Sequence, residues 1–220
     1  MKCLLCGKSL QTEITFTNLL CFKKEEEIVC ESCISSFESI GGNHCPTCFK
    51  KGMSIICQDC QFWCKKGVKV DHVALYSYNQ AMKEYFSRYK FDGDYLLRKV
   101  FSEILQKELK KYKNYQIVIV PLSDQRLKSR GFNQVEGLIK DTGLTYLDIL
   151  VKKEVEASSS KNRSDRLLAE FPFLLKDGVK IPENILLFDD IYTTGTTLNR
   201  LKSMLLEAGC QNIKTFSLAR

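Results

Sequence analysis

Residues 185–197 read Ile185-Leu186-Leu187-Phe188-Asp189-Asp190-Ile191-Tyr192-Thr193-Thr194-Gly195-Thr196-Thr197. The four leading apolar residues predict a short buried strand that delivers two adjacent carboxylates at its end. A hydroxyl-rich loop with one glycine then opens an amphipathic helix, expected over Leu198–Ala208 and stopped at Gly209. Ligands of open α/β sheets bind outside the carboxyl ends of strands, and backbone N–H groups at a helix N-terminus favour an anion. Thr193, Thr194, Thr196 and Thr197 add hydroxyl donors, while Gly195 lets the backbone approach a ligand closely. Asp189 and Asp190 suit two vicinal ribose hydroxyls, because two bare carboxylates would repel a phosphate. The loop lacks the lysine that a Walker A loop carries before its Ser/Thr. A strand end capped by two aspartates and a threonine-rich turn is the plain alternative.

Working outward, Ile117-Val118-Ile119-Val120 is a wholly apolar run closed by Pro121, as a buried parallel strand should be. A polar loop over Ser123–Arg130 follows, with cations at Arg126, Lys128 and Arg130, then a helix from about Asn133 to Lys140 with Asn133 able to cap it. A final strand is expected at Ile213–Leu218 and an early one at Val73–Tyr78. Asn79–Tyr89 and Tyr95–Tyr112 read as helices separated by Phe91-Asp92-Gly93-Asp94. Strands alternating with helices after residue 115 predict an α/β fold with a parallel sheet. Residues 152–166 are polar and charged and are expected to form a mobile surface loop carrying Lys161, Arg163 and Arg166. Tyr85, Phe86, Arg88, Tyr89 and Lys90 interleave aromatics with cations, a pattern that suits stacking on bases with Arg88 and Lys90 on the nucleic-acid backbone. The same pattern also describes an amphipathic helix that buries its rings.

The other end of the chain has a different character. Ten of the eleven cysteines lie in residues 1–64, with Cys210 alone near the end. Four C-x-x-C pairs stand at Cys3/Cys6, Cys30/Cys33, Cys45/Cys48 and Cys57/Cys60. Each pair forms a knuckle offering two thiolates to one ion, and two knuckles complete a tetrahedral four-sulfur site, so eight thiolates suffice for two structural zinc ions. Zinc fits the spacing better than an iron–sulfur cluster, whose ferredoxin runs look different. Sequential and interleaved pairing both remain open, with Cys21 and Cys64 left over. Residues 1–64 are therefore expected to form a small metal module, structural in the first reading and a partner surface in the second, and 65–220 the larger domain.

Charge divides along the same line. Residues 1–64 carry six Lys and no Arg against seven acids, and the net charge of +7 leaves +8 on residues 65–220. That excess favours phosphates or nucleic acid as partners. The longest apolar runs fall short of a membrane span, and the start, Met1-Lys2-Cys3-Leu4-Leu5-Cys6-Gly7, lacks a signal peptide's apolar core. The expectation is a cytoplasmic protein in a reducing compartment without membrane insertion.

Asp189–Thr197 resembles the PRPP-binding signature of type I phosphoribosyltransferases. Together with Arg130-Gly131-Phe132-Asn133-Gln134, Tyr89-Lys90-Phe91-Asp92-Gly93-Asp94 and the N-terminal knuckles, it is similar to the ComF/GntX family over nearly the whole chain. The resemblance implies a type I phosphoribosyltransferase-like parallel sheet flanked by helices, with a small N-terminal zinc-ribbon module. It implies that Asp189 and Asp190 hold the ribose of PRPP, that Thr193–Thr197 take its 5′-phosphate, and that Arg126, Arg130 and the lid residue Arg166 face pyrophosphate, with Mg²⁺ if PRPP is used. It further implies a late role in competence, in DNA uptake for natural transformation, with single-stranded DNA and a ComFA-type ATPase as partners. The alternative is an active enzyme moving ribose 5-phosphate from PRPP to an unknown acceptor. In salvage enzymes base-contacting residues follow the last strand, so ordinary purine salvage is not expected.

Overall fold

The computed structural model describes residues 1–10, 28–154 and 171–220. Four strands, β1 (His72–Tyr76), β2 (Gln116–Ile119), β5 (Asn184–Ile191) and β6 (Asn212–Ala219), form one sheet in the order β1-β6-β5-β2, with every neighbouring pair parallel. Two short strands, β3 (Leu150–Lys152) and β4 (Phe173–Leu175), pair antiparallel beside it. Among the described residues no helix is long and apolar enough to cross a membrane.

Side-chain alternation along β5 assigns the two faces of the sheet. Leu186 and Phe188 point into a core built with Phe216, Leu218 and three helices, α3 (Gln80–Phe91), α4 (Ser102–Leu109) and α6 (Gln134–Lys140). Ile185 and Leu187 point the other way, into a core shared with α7 (Thr196–Glu207) and with Cys45, Cys48, Cys57 and Cys60. Two further helices belong to the cysteine-rich segment, α1 (Glu31–Ile34) and α2 (Gln58–Lys65). The second cysteine set is thus packed into the sheet's own hydrophobic core, whereas Leu4 and Leu5 of the first set rest against the edge of the opposite core.

Caps place the helices. The Asn79 side chain accepts from the Met82 amide at 3.0 Å and starts α3, and Asn133 accepts from the Val135 amide at 2.9 Å and starts α6. Three expectations need correction. Ser123–Arg130 is not a loop: Asp124–Arg130 forms a helix, α5, with Ser123 at its N-cap, Lys128 and Arg130 in its last turn and Gly131 ending it at φ 76°. None of its residues is buried, so it has no apolar stripe by which periodicity could reveal it. Tyr95–Tyr112 is broken into a 3₁₀ turn over Tyr95–Phe101, then α4, then a 3₁₀ turn over Lys110–Tyr112. β5 runs on through Asp189 and Asp190, so both carboxylates belong to the strand itself. Most of the expected surface loop, residues 155–166, lies outside the described residues, and Lys152 at its start is part of β3.

Tight packing between α3 and α6 gives a direct test. The Tyr89 hydroxyl donates to the Gln134 carbonyl at 3.0 Å, and a Cβ on Gly137 would lie 2.2 Å from that oxygen and 3.2 Å from Cε2 of Tyr95. Alanine is the better helix former by about 1 kcal/mol, but overpacking of this kind costs about 1–3 kcal/mol. Gly137→Ala is expected to lower the urea midpoint; a higher midpoint would show that the two helices do not approach this closely.

Candidate functional site

The cysteines resolve into two sets in chain order. Cys3, Cys6, Cys30 and Cys33 form one, and Cys45, Cys48, Cys57 and Cys60 the other, with the sulfurs of each set all within 4.8 Å of one another. Pairing is therefore sequential rather than interleaved. A thiolate tetrahedron about 2.3 Å from a zinc ion has edges of about 3.8 Å; the Sγ–Sγ separations are 3.7 Å for Cys6–Cys30, 3.6 Å for Cys48–Cys57 and 4.0 Å for Cys45–Cys60. Backbone amides steady the ligands, the Cys30 N–H donating to Cys3 Sγ and the Cys57 N–H to Cys45 Sγ, each at 3.3 Å. Both donor sets fit a closed zinc site. Cys64 is exposed and stands apart from both sets, and Cys21 lies outside the described residues.

At the carboxyl edge of the sheet, Asp189 and Asp190 leave β5 on opposite faces, as successive strand residues must. Asp190 turns toward α3, where Lys90 Nζ lies 2.6 Å from its Oδ2 with both side chains largely buried. Asp189 Oδ1 accepts from the Asp190 amide at 2.8 Å. Burial, and then the Asp190 charge, push the Asp189 carboxyl from an ordinary 3.8 up to about 8, while the Asp190 amide and the Lys90 ammonium pull the other way.

Both aspartates line a cavity of about 160 Å³ together with Lys90, Arg126, Arg130, Lys152, Gln134 and Thr197. Arg130 Nη1 donates to Gln134 Oε1 at 2.8 Å. Burial holds Arg130 and Lys152 below the usual range of their residue types, and the Arg126 charge adds to the effect on both. Crowded cations of this sort are relieved by an incoming polyanion. Lys152 and the cavity-facing position of Lys90 were not anticipated as parts of this pocket. Lys152 sits on a three-residue strand whose partner, β4, is contributed by residues more than twenty positions later, so only the fold brings it here.

Beyond the strand, Asp189, Thr193, Gly195, Thr196 and Thr197 line a smaller recess of about 40 Å³ at the start of α7. Gly195 adopts φ 77°, and a Cβ there would meet the Tyr192 hydroxyl at 2.1 Å and Asn199 Nδ2 at 2.6 Å. The position is closed to any other residue on both counts. Thr193 is exposed and Thr194, Thr196 and Thr197 are half-buried, so the turn opens to solvent. Such a turn, with N–H groups and hydroxyls at a helix start and cations across a cavity, can receive an anionic, hydroxyl-bearing ligand.

Two expected groups fall elsewhere. Arg166 lies outside the described residues, as do Lys161 and Arg163. Tyr85, Phe86 and Tyr89 are buried in the core, Lys90 is paired with Asp190, and Arg88 donates to the Leu5 carbonyl at 2.7 Å, the Leu4 carbonyl at 3.1 Å and Asp94 at 2.7 Å. This stretch is an amphipathic helix that anchors the first cysteine set rather than an exposed stacking platform.

The fold and its donor sets define an α/β protein with a parallel sheet, a polar cavity at the sheet's carboxyl edge and two four-cysteine groups able to hold zinc. No protein-family profile matches the chain. It is 59% identical to the competence protein ComFC of Streptococcus pneumoniae over 220 residues, covering the whole of both chains, and 34% identical to ComFC of Bacillus subtilis over 227 residues, covering 99% of this chain and 94% of that one. A hypoxanthine phosphoribosyltransferase structure from Staphylococcus aureus shows 17% identity and a TM-score of 0.33, covering 56% of this chain and 63% of its own. The chain belongs to the ComFC family of competence proteins.

The raised Asp189 carboxyl has a readable consequence. A group whose folded-state pKa lies above its unfolded value contributes stability that is present at acid pH and is lost as the pH climbs to the folded value, here from about 4 to about 8. Asp189→Asn is expected to raise Tm at pH 8 relative to the parent chain, with the gap closing toward pH 4; a constant gap would show that Asp189 titrates normally.

Proposed function

We propose that this chain acts in competence, in the uptake of DNA for natural transformation, and that it does so with a sugar-phosphate pocket at the carboxyl edge of its sheet. The competence role rests on likeness to ComFC proteins across the full chain. The pocket rests on one observation: Asp189, Asp190 and the solvent-facing Thr193–Thr197 turn share a single strand end with Lys90, Arg126, Arg130 and Lys152. In this reading the threonine turn takes a 5′-phosphate, the aspartates accept from ribose hydroxyls, and the cations face pyrophosphate, the partition expected for PRPP. Single-stranded DNA and a ComFA-type ATPase are the proposed partners, and the cytoplasm the proposed compartment.

A second reading, an active phosphoribosyltransferase, is favoured by the cations standing across the same cavity as the carboxylates. Pyrophosphate would leave with the electron pair of its bond to ribose C1 as an acceptor attacks, and the charges around the pocket would hold both ends of that displacement in place. Mg²⁺ entering with PRPP would neutralise part of the pyrophosphate charge. Asp189 and Asp190 would fix the sugar, with Arg126, Arg130 and Lys152 positioned for the departing anion.

Calorimetry with PRPP tests the pocket. The parent chain is expected to bind, and Asp189→Ala to weaken binding at least tenfold, about 1.4 kcal/mol. Asp190→Ala also strands Lys90, so the double variant needs its thermal unfolding checked alongside. In cells, Asp189→Ala with Asp190→Ala is expected to cut transformation frequency strongly; parental frequencies would make the pocket dispensable. Direct DNA contact predicts a gel shift with single-stranded DNA that weakens as salt rises, and no shift at low salt would leave only an adaptor role.

A further inference from the structure

The second cysteine set and the threonine turn are tied together by two side chains, Trp63 and Arg220. Trp63 lies on α2, three residues after the ligand Cys60, and its indole N–H donates to the Thr194 carbonyl at 2.9 Å. Arg220 follows β6 with its side chain 3% exposed. Its Nη1 donates to the Thr193 carbonyl at 2.6 Å, and its Nη2 lies 3.8 Å from Cys57 Sγ and 3.7 Å from Asp59 on α2. Its guanidinium carbon also stands 4.5 Å from the centre of the Tyr192 ring. Trp63 thus reaches from the cysteine module to one carbonyl of the turn, while Arg220, at the end of β6, touches the module with one nitrogen and the turn with the other.

The direction of those carbonyls matters because a trans peptide is planar, with its N–H opposed to its C=O. Holding the Thr193 carbonyl aims the Thr194 N–H away from the cysteine set, and holding the Thr194 carbonyl does the same for the Gly195 N–H. These two N–H groups stand just before α7, in the turn read above as the phosphate site. Collapse of the cysteine set would release α2, and with it Trp63, Asp59 and the sulfur that faces Arg220.

We propose that Trp63 and Arg220 are positioning residues that couple metal loading at Cys45, Cys48, Cys57 and Cys60 to phosphate binding at Thr193–Thr197. The proposal rests on the sugar-phosphate reading of the turn. Coupling between two binding events is reciprocal, so a phosphate on the turn must hold the metal more tightly. Among the described residues the first cysteine set is tied instead to Arg88, through the Leu4 and Leu5 carbonyls, and it serves as an internal control.

The test uses the full chain loaded with two zinc ions and ribose 5-phosphate as the probe, following zinc release to a chromogenic chelator. Saturating ribose 5-phosphate is expected to slow release of one of the two ions severalfold and leave the other unchanged. Trp63→Phe keeps a ring in place without the N–H; it is expected to retain both ions, weaken ribose 5-phosphate about fivefold, the value of one neutral hydrogen bond, and lose the protection. Arg220→Gln reads the same effect independently, should Trp63→Phe fold poorly. If ribose 5-phosphate binds but protects neither ion or both, or if both variants keep the protection, the coupling is overturned. If the parent chain does not bind ribose 5-phosphate at all, the reading of the turn itself fails, and the coupling with it.

Discussion

β5 is hydrogen-bonded along both edges, to β2 and β6, and Ile185 to Phe188 are fully buried on both faces. A central strand of this kind can bring polar groups to water only where it ends, and there it carries Asp189 and Asp190. A buried carboxylate is costly unless it is paired. Asp190 is answered by Lys90 from α3, which fixes how closely that helix meets the strand end. Asp189 is held by one amide and remains the strained member of the pair, with its proton affinity raised. Lys90, Arg126, Arg130 and Lys152 and the open threonine turn gather around this same strand end.

The two cysteine sets share a chemistry but occupy different places. The first hangs on the outside of the fold by the carbonyls of Leu4 and Leu5, with Cys6 exposed. All four ligands of the second are buried, and they share a core with Val118, Leu187 and Leu201. A closed four-sulfur site stabilises whatever surrounds it: in the first case a peripheral knuckle, in the second the underside of the threonine turn. The sequence divides at about residue 64 by composition, yet the core does not divide there.

Much of the sheet was legible because its strands are short β-branched or aliphatic runs with clear ends. Ile117–Val120 and Ile185–Phe188 announce themselves, and Asn79 and Asn133 mark helix starts that the structure keeps. α5 escaped because its seven residues include a single apolar side chain, the exposed Leu127, although Ser123, Asp124 and Gly131 carry the signals of a capped helix. β3 and β4 escaped because three-residue strands have too little alternation to read. Within the candidate site, the aspartates and threonines could be found because they are consecutive. Lys152, Trp63 and Arg220 reach the same place from separate segments, and only tertiary structure assembles them. At Tyr85–Lys90 the interleaved rings and cations fitted two patterns, and hydrophobic burial decided between them.

Asp189 and Asp190 depart from opposite faces of one strand, and this restricts what can touch both. Their carboxylates meet only at the strand tip, where both line one cavity. To engage the pair a small molecule must sit across the tip of β5 and present two hydrogen-bond donors on adjacent carbons, as the cis diol at C2 and C3 of a ribofuranose does. A 2-deoxy sugar keeps only one of those donors and would forgo one of the two hydrogen bonds. On the sugar-phosphate reading proposed above, the strand's alternation would favour ribonucleotide-type over deoxyribonucleotide-type sugars through backbone geometry alone.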